Sequence, residues 1–545
     1  TGGTSAAIFR SDRNGKLGDI VHSTPYYVGI PNAGYNDIEM PGYAAFRTAN
    51  KTRQPVLYTG ANDGMLHGFD TSTGNELLAY VPRAVFPNLN LLTAQGYGTT
   101  VPHHYFVDGA PMVADADVNG WKTILAGGLN GGGQGIYALD VTDPTTFAES
   151  AAASTVLWEF TDEDDADLGY TYLQPSINQT THQSAQIAKM ANGKWAVILG
   201  NGYNNTEADG HASTTGHAYL FVLFIEEGMD GIWTINDDYI KIDTGIGDTT
   251  TPNGLATPAP IDTDGDGDID IIYAGDLRGN LWKFDVSSSS PRLWKIPLAL
   301  NAPLFTAKDS HNNQQAITTA PLVTLHPEDG YMIGFGTGKY MEISDLADTS
   351  SHTLYGIWDN DANDSSTLVN HRSELVEQTI LEELTLGNNE LRITSAQAVD
   401  YNTKKGWFMD LPESGERINV NPLMRSGRFV FTSRTPDTTL CSAGGSSWIM
   451  ELDYLTGGRL NISPFDANDD GAINSDDFHT INDEPTPASG IRDGGGGMLA
   501  TPTVLTTDNP EEEYKVKSSS NGQVTSLLES APPGLSGRLT WQEIQ

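Results

Sequence analysis

The sequence predicts an all-β protein assembled from repeated four-strand units, and three observations predict it. Glycine and proline number 58 and 28 among 545 residues and cut the chain into short pieces. Those pieces are rich in β-branched and aromatic residues, while apolar residues at helical spacing are scarce. A frame of glycines, apolar residues and an aspartate then recurs at a period near 70 residues.

The frame is clearest in "GANDGMLHGFDTSTG" (60–74), as Gly60, Gly64, Leu66, Phe69, Asp70, Thr73 and Gly74. It returns in "GDLRGNLWKFD" as Gly275, Gly279, Leu281, Phe284 and Asp285. Looser copies end at Asp140, Asp359 and Asp453, each with an apolar residue four before the aspartate and another just before it, and the last regains Thr456 and Gly457. Asp70 and Asp140 stand 70 apart and Asp285 and Asp359 stand 74 apart, whereas Asp140 to Asp285 is 145, so one copy is hidden. "GHAYLFVLF" (216–224) fills that place, and "NGQVTSLLE" (521–529) is a degenerate last copy. Proline-led strand starts announce each unit: "HSTPYYV", "DGAPMVA", "LQPSI", "ATPAPI", "TTAPLV", "NPLM" and "ATPTV". Seven units of short strands with glycine turns predict the blades of a β-propeller. These units exceed the usual ~40–50 residues. The surplus is assigned to insertions at about 360–425 and 458–498 and to the loop around 84–104. A solenoid is the alternative; irregular unit lengths and the lack of a polar capping repeat argue against it.

Charge and composition narrow the function. Seventy acidic against thirty basic side chains give a net charge of −40. Nucleic acid and anionic membrane surfaces are therefore poor partners, and a saline or calcium-containing medium suits the chain. No apolar run approaches the ~18 residues of a membrane helix. The opening "TGGTSAAIFR" is not a signal peptide, so the chain is expected to begin partway through a longer protein or after processing. The single cysteine, Cys441, permits no internal disulfide and reads as a small buried hydrophobe.

Nine blocks carry a family resemblance: "LGDIVHSTPYYVG", "YVPRAVFPNL", "HHYFVDGAPMV", "AGGLNGGGQGIYALDVT", "LGNGYNN", "YAGDLRGNLWKFD", "FGTGKYMEISD", "YNTKKGWFMDLP" and "ELDYLTGGRL". Spread in order from residue 17 to residue 460, they resemble the carboxy-terminal domain of the PilY family, called PilC in some bacteria, of type IV pilus biogenesis factors and tip adhesins. The resemblance implies one modified seven-bladed β-propeller domain over 1–545, with long inserted loops and a bound calcium ion. It implies control of pilus extension and retraction, twitching motility, and adhesion to a host or abiotic surface. The implied partners are minor and major pilins, and the implied place is the surface of a Gram-negative bacterium, at the pilus tip and associated with the outer membrane. The family's amino-terminal von Willebrand factor A-like part is expected to be missing. The Arg-Gly-Asp tripeptide with which some members meet integrins is not present, so that interaction is not carried over.

The stretch "IDTDGDGDID" (261–270) has an aspartate at every second position, which suits a hard cation taking 6 to 8 oxygens. Asp262, Asp264 and Asp266 would give side-chain oxygens at positions one, three and five, Asp268 its main-chain carbonyl at seven, and Asp270 a carboxylate at nine. Gly265 and Gly267 would turn the backbone around the ion. Position twelve is Tyr273, and "IDIIYAG" reads as strand, so this is a nine-residue calcium loop rather than an EF-hand; it resembles the PilY calcium loop residue by residue. A second candidate, "DANDDGAINSDD" (466–477), has full EF-type length and resembles half of a dockerin repeat. There Asp466, Asn468, Asp470, Ala472 (through its carbonyl), Asn474 and Asp477 would bind Ca2+, more weakly because an aspartate holds position twelve. "DADVNG" (115–120) sits at the corresponding place of its own unit but has Thr123 where the final carboxylate belongs, and reads as a degenerate copy. "DEDDAD" (162–167) and "DNDAND" (359–364) read as solvated turns.

The rival reading is a quinoprotein-type dehydrogenase with a propeller-bound quinone. One cysteine cannot make the vicinal disulfide on which some such enzymes stack the quinone, and nothing marks a catalytic carboxylate pair. "GGLNGGGQG" (127–135) precedes the strand-like "IYALDV", whereas a phosphate cradle needs a helix. No HExxH, P-loop or GxSxG is present, and the adjoining His103 and His104 read as structural. The sequence predicts a non-enzyme.

Overall fold

The computed structural model describes residues 10, 15–178, 180–297, 302–425, 427–437, 444–493 and 496–531; Cys441 lies outside them. The chain divides into two compact units, Thr1–Leu304 and Phe305–Gln545. The described residues form seven sheets of three strands or more and one two-stranded hairpin. Among the described residues helix is confined to short pieces, the longest α-helix being Tyr43–Ala49.

Each copy of the repeat lands on the third strand of a sheet in chain order, except in the sixth, where two further strands precede the run Leu423–Arg425, Arg428–Pro436 and Gly445–Asp453. These strands are Met65–Asp70, Gly135–Asp140, His217–Phe224, Asn280–Asp285, Thr353–Asp359, Gly445–Asp453 and Val524–Ser530. The recurring aspartate has a local cause. At the strand exit its carboxylate accepts from backbone N–H groups two or three residues on, which turns the chain. Asp70 Oδ1 accepts from Ser72 N at 2.7 Å, and Asp453 Oδ1 from Thr456 N at 2.8 Å. Asp140, Asp285 and Asp359 do the same toward Thr142, Ser287 and Asp361.

Continuous apolar runs become strands buried on both faces. In Trp195–Gly200, Trp195, Val197 and Leu199 pack toward the second sheet, while Ala196 and Ile198 pack toward the fourth. His217–Phe224 splits the same way, with Tyr219, Phe221 and Leu223 against Leu220, Val222 and Phe224. Within the second unit, Trp407 and Met409 of the fifth sheet meet Phe429, Phe431 and Trp448 of the sixth.

Two sequence expectations change. "LQPSI" does not open the third sheet; Ile177 makes only an isolated bridge to Ser184, and the first strand is Ile187–Met190. Asn178 is the reason: its carboxamide caps a turn at Thr180 and Thr181 before the chain can extend. The region 360–425 is more than loop. Gly406–Asp410 pairs with Thr353–Asp359 and completes the fifth sheet, and the hairpin Ile380–Leu386 with Asn389–Thr394 widens the sixth. The glycine run 127–135 is packed against backbone: a Cβ on Gly132 would lie 1.7 Å from the Phe106 carbonyl oxygen.

Candidate metal centre

The loop 262–270 connects Ala259–Ile261 to Ile271–Gly275, the first two strands of the fourth sheet. Its path is set by its own side chains. Asp262 Oδ1 accepts from Gly265 N at 2.7 Å and Oδ2 from Gly267 N at 2.8 Å, folding the chain back over the first carboxylate. Gly265 and Gly267 take φ of 82° and 90°, which favours glycine. Asp270 Oδ2 accepts from both Thr263 N, at 2.9 Å, and Thr263 Oγ1, at 2.6 Å, closing the far side.

This path brings three of the five aspartates together. Asp262, Asp264 and Asp270 each offer a carboxylate oxygen, and the three oxygens lie within 4.8 Å of one another. Oxygens around one calcium at 2.3–2.6 Å lie no farther apart than roughly 5 Å, so the trio fits that ion's coordination sphere. Asp266 is exposed and accepts from Asp268 N at 2.9 Å. Asp268 turns its carboxylate to Lys189, 2.6 Å from Nζ, so its side chain stands apart from the trio. Burial pushes the Asp268 carboxyl above its usual range, and the Lys189 ammonium pulls it back part of the way.

The loop is also more than a turn within one sheet. Asp268–Ile269 forms a short parallel strand beside Ile187–Met190, pairing Asp268 with Lys189 and Ile269 with Met190. Carboxylates that would hold an ion on the fourth sheet are thereby stitched to the edge of the third. Sequence reasoning missed Lys189, since nothing marks a lysine about 80 residues upstream as a partner.

The second loop, 466–477, is anchored differently. Asp466 is buried; its Oδ1 accepts from Asp470 N at 3.1 Å and its Oδ2 from Gly471 N at 2.8 Å. Asn468 Oδ1 accepts from Asp470 N, Asp470 Oδ1 from Ala472 N, and Asn474 Oδ1 from Asp476 N. Asp477 is fully buried and clasps both ends of the loop, accepting from Ala467 N and Asn474 N at 2.7 Å each. Among the described residues, Asp466, Asp470 and Asp477 do not form a trio like that of the first loop.

The other acidic runs divide. Asp115 of "DADVNG" is buried and saturated by protein: Tyr43 Oη and Gln183 Nε2 donate to one oxygen, and Thr123 Oγ1 donates to the other at 2.6 Å. Thr123, which holds the place of the missing final carboxylate, donates to the carboxylate that remains. "DEDDAD" corrects its reading as a solvated turn. Asp165 and Asp167 flank Lys241 Nζ at 2.7 and 2.6 Å, and Asp165 is buried. His103 Nε2 pairs with Asp19 Oδ2 at 2.9 Å, while His104 stacks edge-on to Phe106, so the two histidines face different partners.

Comparison with known proteins places the chain in a family. The PilY1 beta-propeller domain matches residues 17–389. The chain belongs to the PilY1 β-propeller family. It is 36% identical to the type IV pilus biogenesis factor PilY1 of Pseudomonas aeruginosa (strain PAO1) over 575 aligned residues, covering 98% of this chain and 46% of that protein. A PilY1 homolog of Xylella fastidiosa is 36% identical over 501 residues, covering 86% of this chain and 32% of that one. The crystal structure of the P. aeruginosa PilY1 C-terminal domain matches with a TM-score of 0.73 and 33% identity, over 93% of this chain and 99% of that domain. The seven sheets are thus the blades of a PilY1-type seven-bladed β-propeller, as the repeats predict. The chain spans less than half the length of these curated relatives.

Proposed function

We propose that this propeller is the calcium-responsive part of a type IV pilus biogenesis factor. The observation that carries the proposal is a match of about one residue in three, over nearly the whole chain, to proteins of that name. In this reading it acts at the surface of a Gram-negative cell, at the pilus tip and outer membrane. Its partners are minor and major pilins and, in adhesion, a host or abiotic surface. Among the described residues no helix is long and apolar enough to cross a membrane.

The trio Asp262, Asp264 and Asp270 supports the calcium part, with Asp266 and the Asp268 carbonyl available to complete the first loop's ligand set. When bound, the ion supplies two positive charges among the carboxylates. The chain's own contribution is the paired strand Asp268–Ile269, through which order in the loop reaches the third blade. Asp466, Asn468, Asp470, Ala472, Asn474 and Asp477 are a second, weaker Ca2+ loop in this proposal. The reading assigns no catalysis: protein supplied with pyrroloquinoline quinone and calcium is expected to oxidise neither alcohols nor sugars in a dye-reduction assay.

Deletion of the gene in its own host, followed by complementation, tests the biological role. Loss of surface pili and twitching, restored by the intact gene, is the expected result. Normal piliation and motility in the deletion strain would overturn the proposal.

A further inference from the structure

The strand Gly445–Asp453 leaves the sixth sheet through "DYLTGGRLNI" (453–462), where backbone and side chains have opposite fates. The backbone is tied down. Asp453 Oδ1 accepts from Leu455 N and Thr456 N, and Gly457 N donates to the Asp453 carbonyl at 2.8 Å. Three successive carbonyls are then each held by a side chain from elsewhere: that of Tyr454 by Trp407 Nε1 at 3.0 Å, that of Leu455 by Tyr401 Oη at 2.6 Å and that of Thr456 by Gln378 Nε2 at 2.7 Å. Arg459 N donates to the Ser395 carbonyl at 3.0 Å. A segment clamped at so many points presents its side chains in fixed positions.

Those side chains are not spent on the protein. A cavity of about 470 Å3 opens beside the turn, lined by Tyr454, Arg459, Asn461 and Ile462 together with Ala396 and Ala398. Arg459 Nη1 donates to the Thr394 carbonyl at 2.9 Å, and among the described residues no carboxylate pairs with its guanidinium. The Tyr454 hydroxyl and the Asn461 carboxamide have no hydrogen-bond partner among the described residues. Asp453, also on the wall, spends Oδ1 on the turn and leaves Oδ2 free. Burial, with the Asp453 charge beside it, raises the Tyr454 phenol above its ordinary value, so it stays protonated and can donate.

The chain has 70 acidic and 30 basic side chains, so an arginine left without a carboxylate stands out. Its planar fork matches a carboxylate on a ligand. Beside it are a phenol, a carboxamide that both donates and accepts, a carboxylate oxygen and the apolar surface of Ile462 and two alanines. Donors and acceptors set around an apolar wall suit a hydroxylated ring, and the volume falls in the ~300–1,000 Å3 range of small-molecule sites. We propose that this cavity, separate from both acidic loops, binds an acidic sugar, with its carboxylate on Arg459 and its hydroxyls on Tyr454, Asn461 and Asp453. The rival explanation is a solvent-filled groove in which water satisfies the same groups.

Isothermal titration with glucuronate, galacturonate and N-acetylneuraminate separates the two, in EGTA so that no calcium ion bridges sugar and protein. At least one of the three acids is expected to bind at one site per chain, and its methyl ester, which lacks the charge, about tenfold or more weaker. Arg459→Lys keeps the charge but loses the fork, and is expected to weaken binding by about tenfold. Should Arg459→Lys fail to fold, Asn461→Ala, which removes no hydrogen bond within the chain, is expected to keep the wild-type melting temperature and bind about threefold to tenfold more weakly. Binding of none of the three acids, an ester as tight as its acid, or wild-type affinity in Arg459→Lys or Asn461→Ala would overturn the site in favour of the solvent-filled groove. The titration reads the cavity alone, so its failure leaves the pilus role standing.

Discussion

Replacing Asp264 by asparagine should make the calcium-free protein more stable and the calcium-loaded protein less so. The trio's oxygens lie within 4.8 Å of one another. At that separation two unit charges repel by about 0.9 kcal/mol in a water-like dielectric, the appropriate limit for an exposed loop. Asp264 takes part in two of the three pairs, so neutralising it relieves about 1.7 kcal/mol, reduced to about 1 kcal/mol by physiological salt. Asparagine keeps an oxygen to accept from Asp266 N, so the turn itself is retained. With calcium at a hundred times its dissociation constant, the wild type gains about 2.7 kcal/mol by mass action. Loss of one charged ligand is expected to weaken binding by about tenfold or more and remove about half of that gain or more. Thermal melts in EGTA and in saturating calcium read both effects. The variant should melt on the order of 1 °C above wild type in EGTA and below it in calcium. A variant that melts lower in EGTA and keeps the full calcium shift would refute the reasoning, because the trio would then be neither repulsive nor the ligand set.

Further predictions concern the surroundings. Lys189→Met removes the partner of Asp268 and costs about 1 kcal/mol or less in global stability; its signature is faster amide exchange at Ile269 without calcium, and unchanged exchange there would count against the stitched strand. Burial lowers the proton affinity of His67, but hydrogen bonds to Asp63 and Glu76 raise it further, so its folded pKa stands above the ordinary value near 6.5. The stabilisation is therefore complete below that value and lost as pH rises through the folded pKa; His67→Gln should cost about 1 kcal/mol more at pH 5.5 than at pH 9 in urea unfolding, and an equal cost at both would rule out the charged bridge. Lys515 is fully buried between Glu451 and Glu529, and Arg428 also pairs with Glu451, so Lys515→Met strands chiefly Glu529 and should cost about 3–5 kcal/mol by the same measurement, where a near-neutral change would show that the cluster titrates instead.

The blade pattern was legible because its causes are local. Alternation of side chains, the carboxylate-capped turn after Asp70 or Asp453, and glycine turns all act within a few residues. The hairpin Ile380–Leu386 with Asn389–Thr394 carried a signal too, apolar residues alternating on either side of "GNN", which its place in a long insertion obscured. In the loop 262–270, position alone foretold Asp262, Asp264 and Asp270 as neighbours. What could not be read was tertiary. Lys189 meets Asp268 only because two blades run side by side, and Gln134 meets Asp209 across 75 residues. "DEDDAD" reads as solvated because Lys241, its counter-charge, arrives from another sheet.

In the proposed function, calcium at the 262–270 loop governs pilus behaviour. Its most direct test is a titration of pilus retraction against external calcium, in cells carrying the wild-type chain or Asp264→Ala at equal surface levels. The wild type should respond over a defined calcium range, and Asp264→Ala should respond only at concentrations about tenfold higher or not at all. Retraction that follows one curve in both strains, while the purified variant has lost the ion, would contradict it.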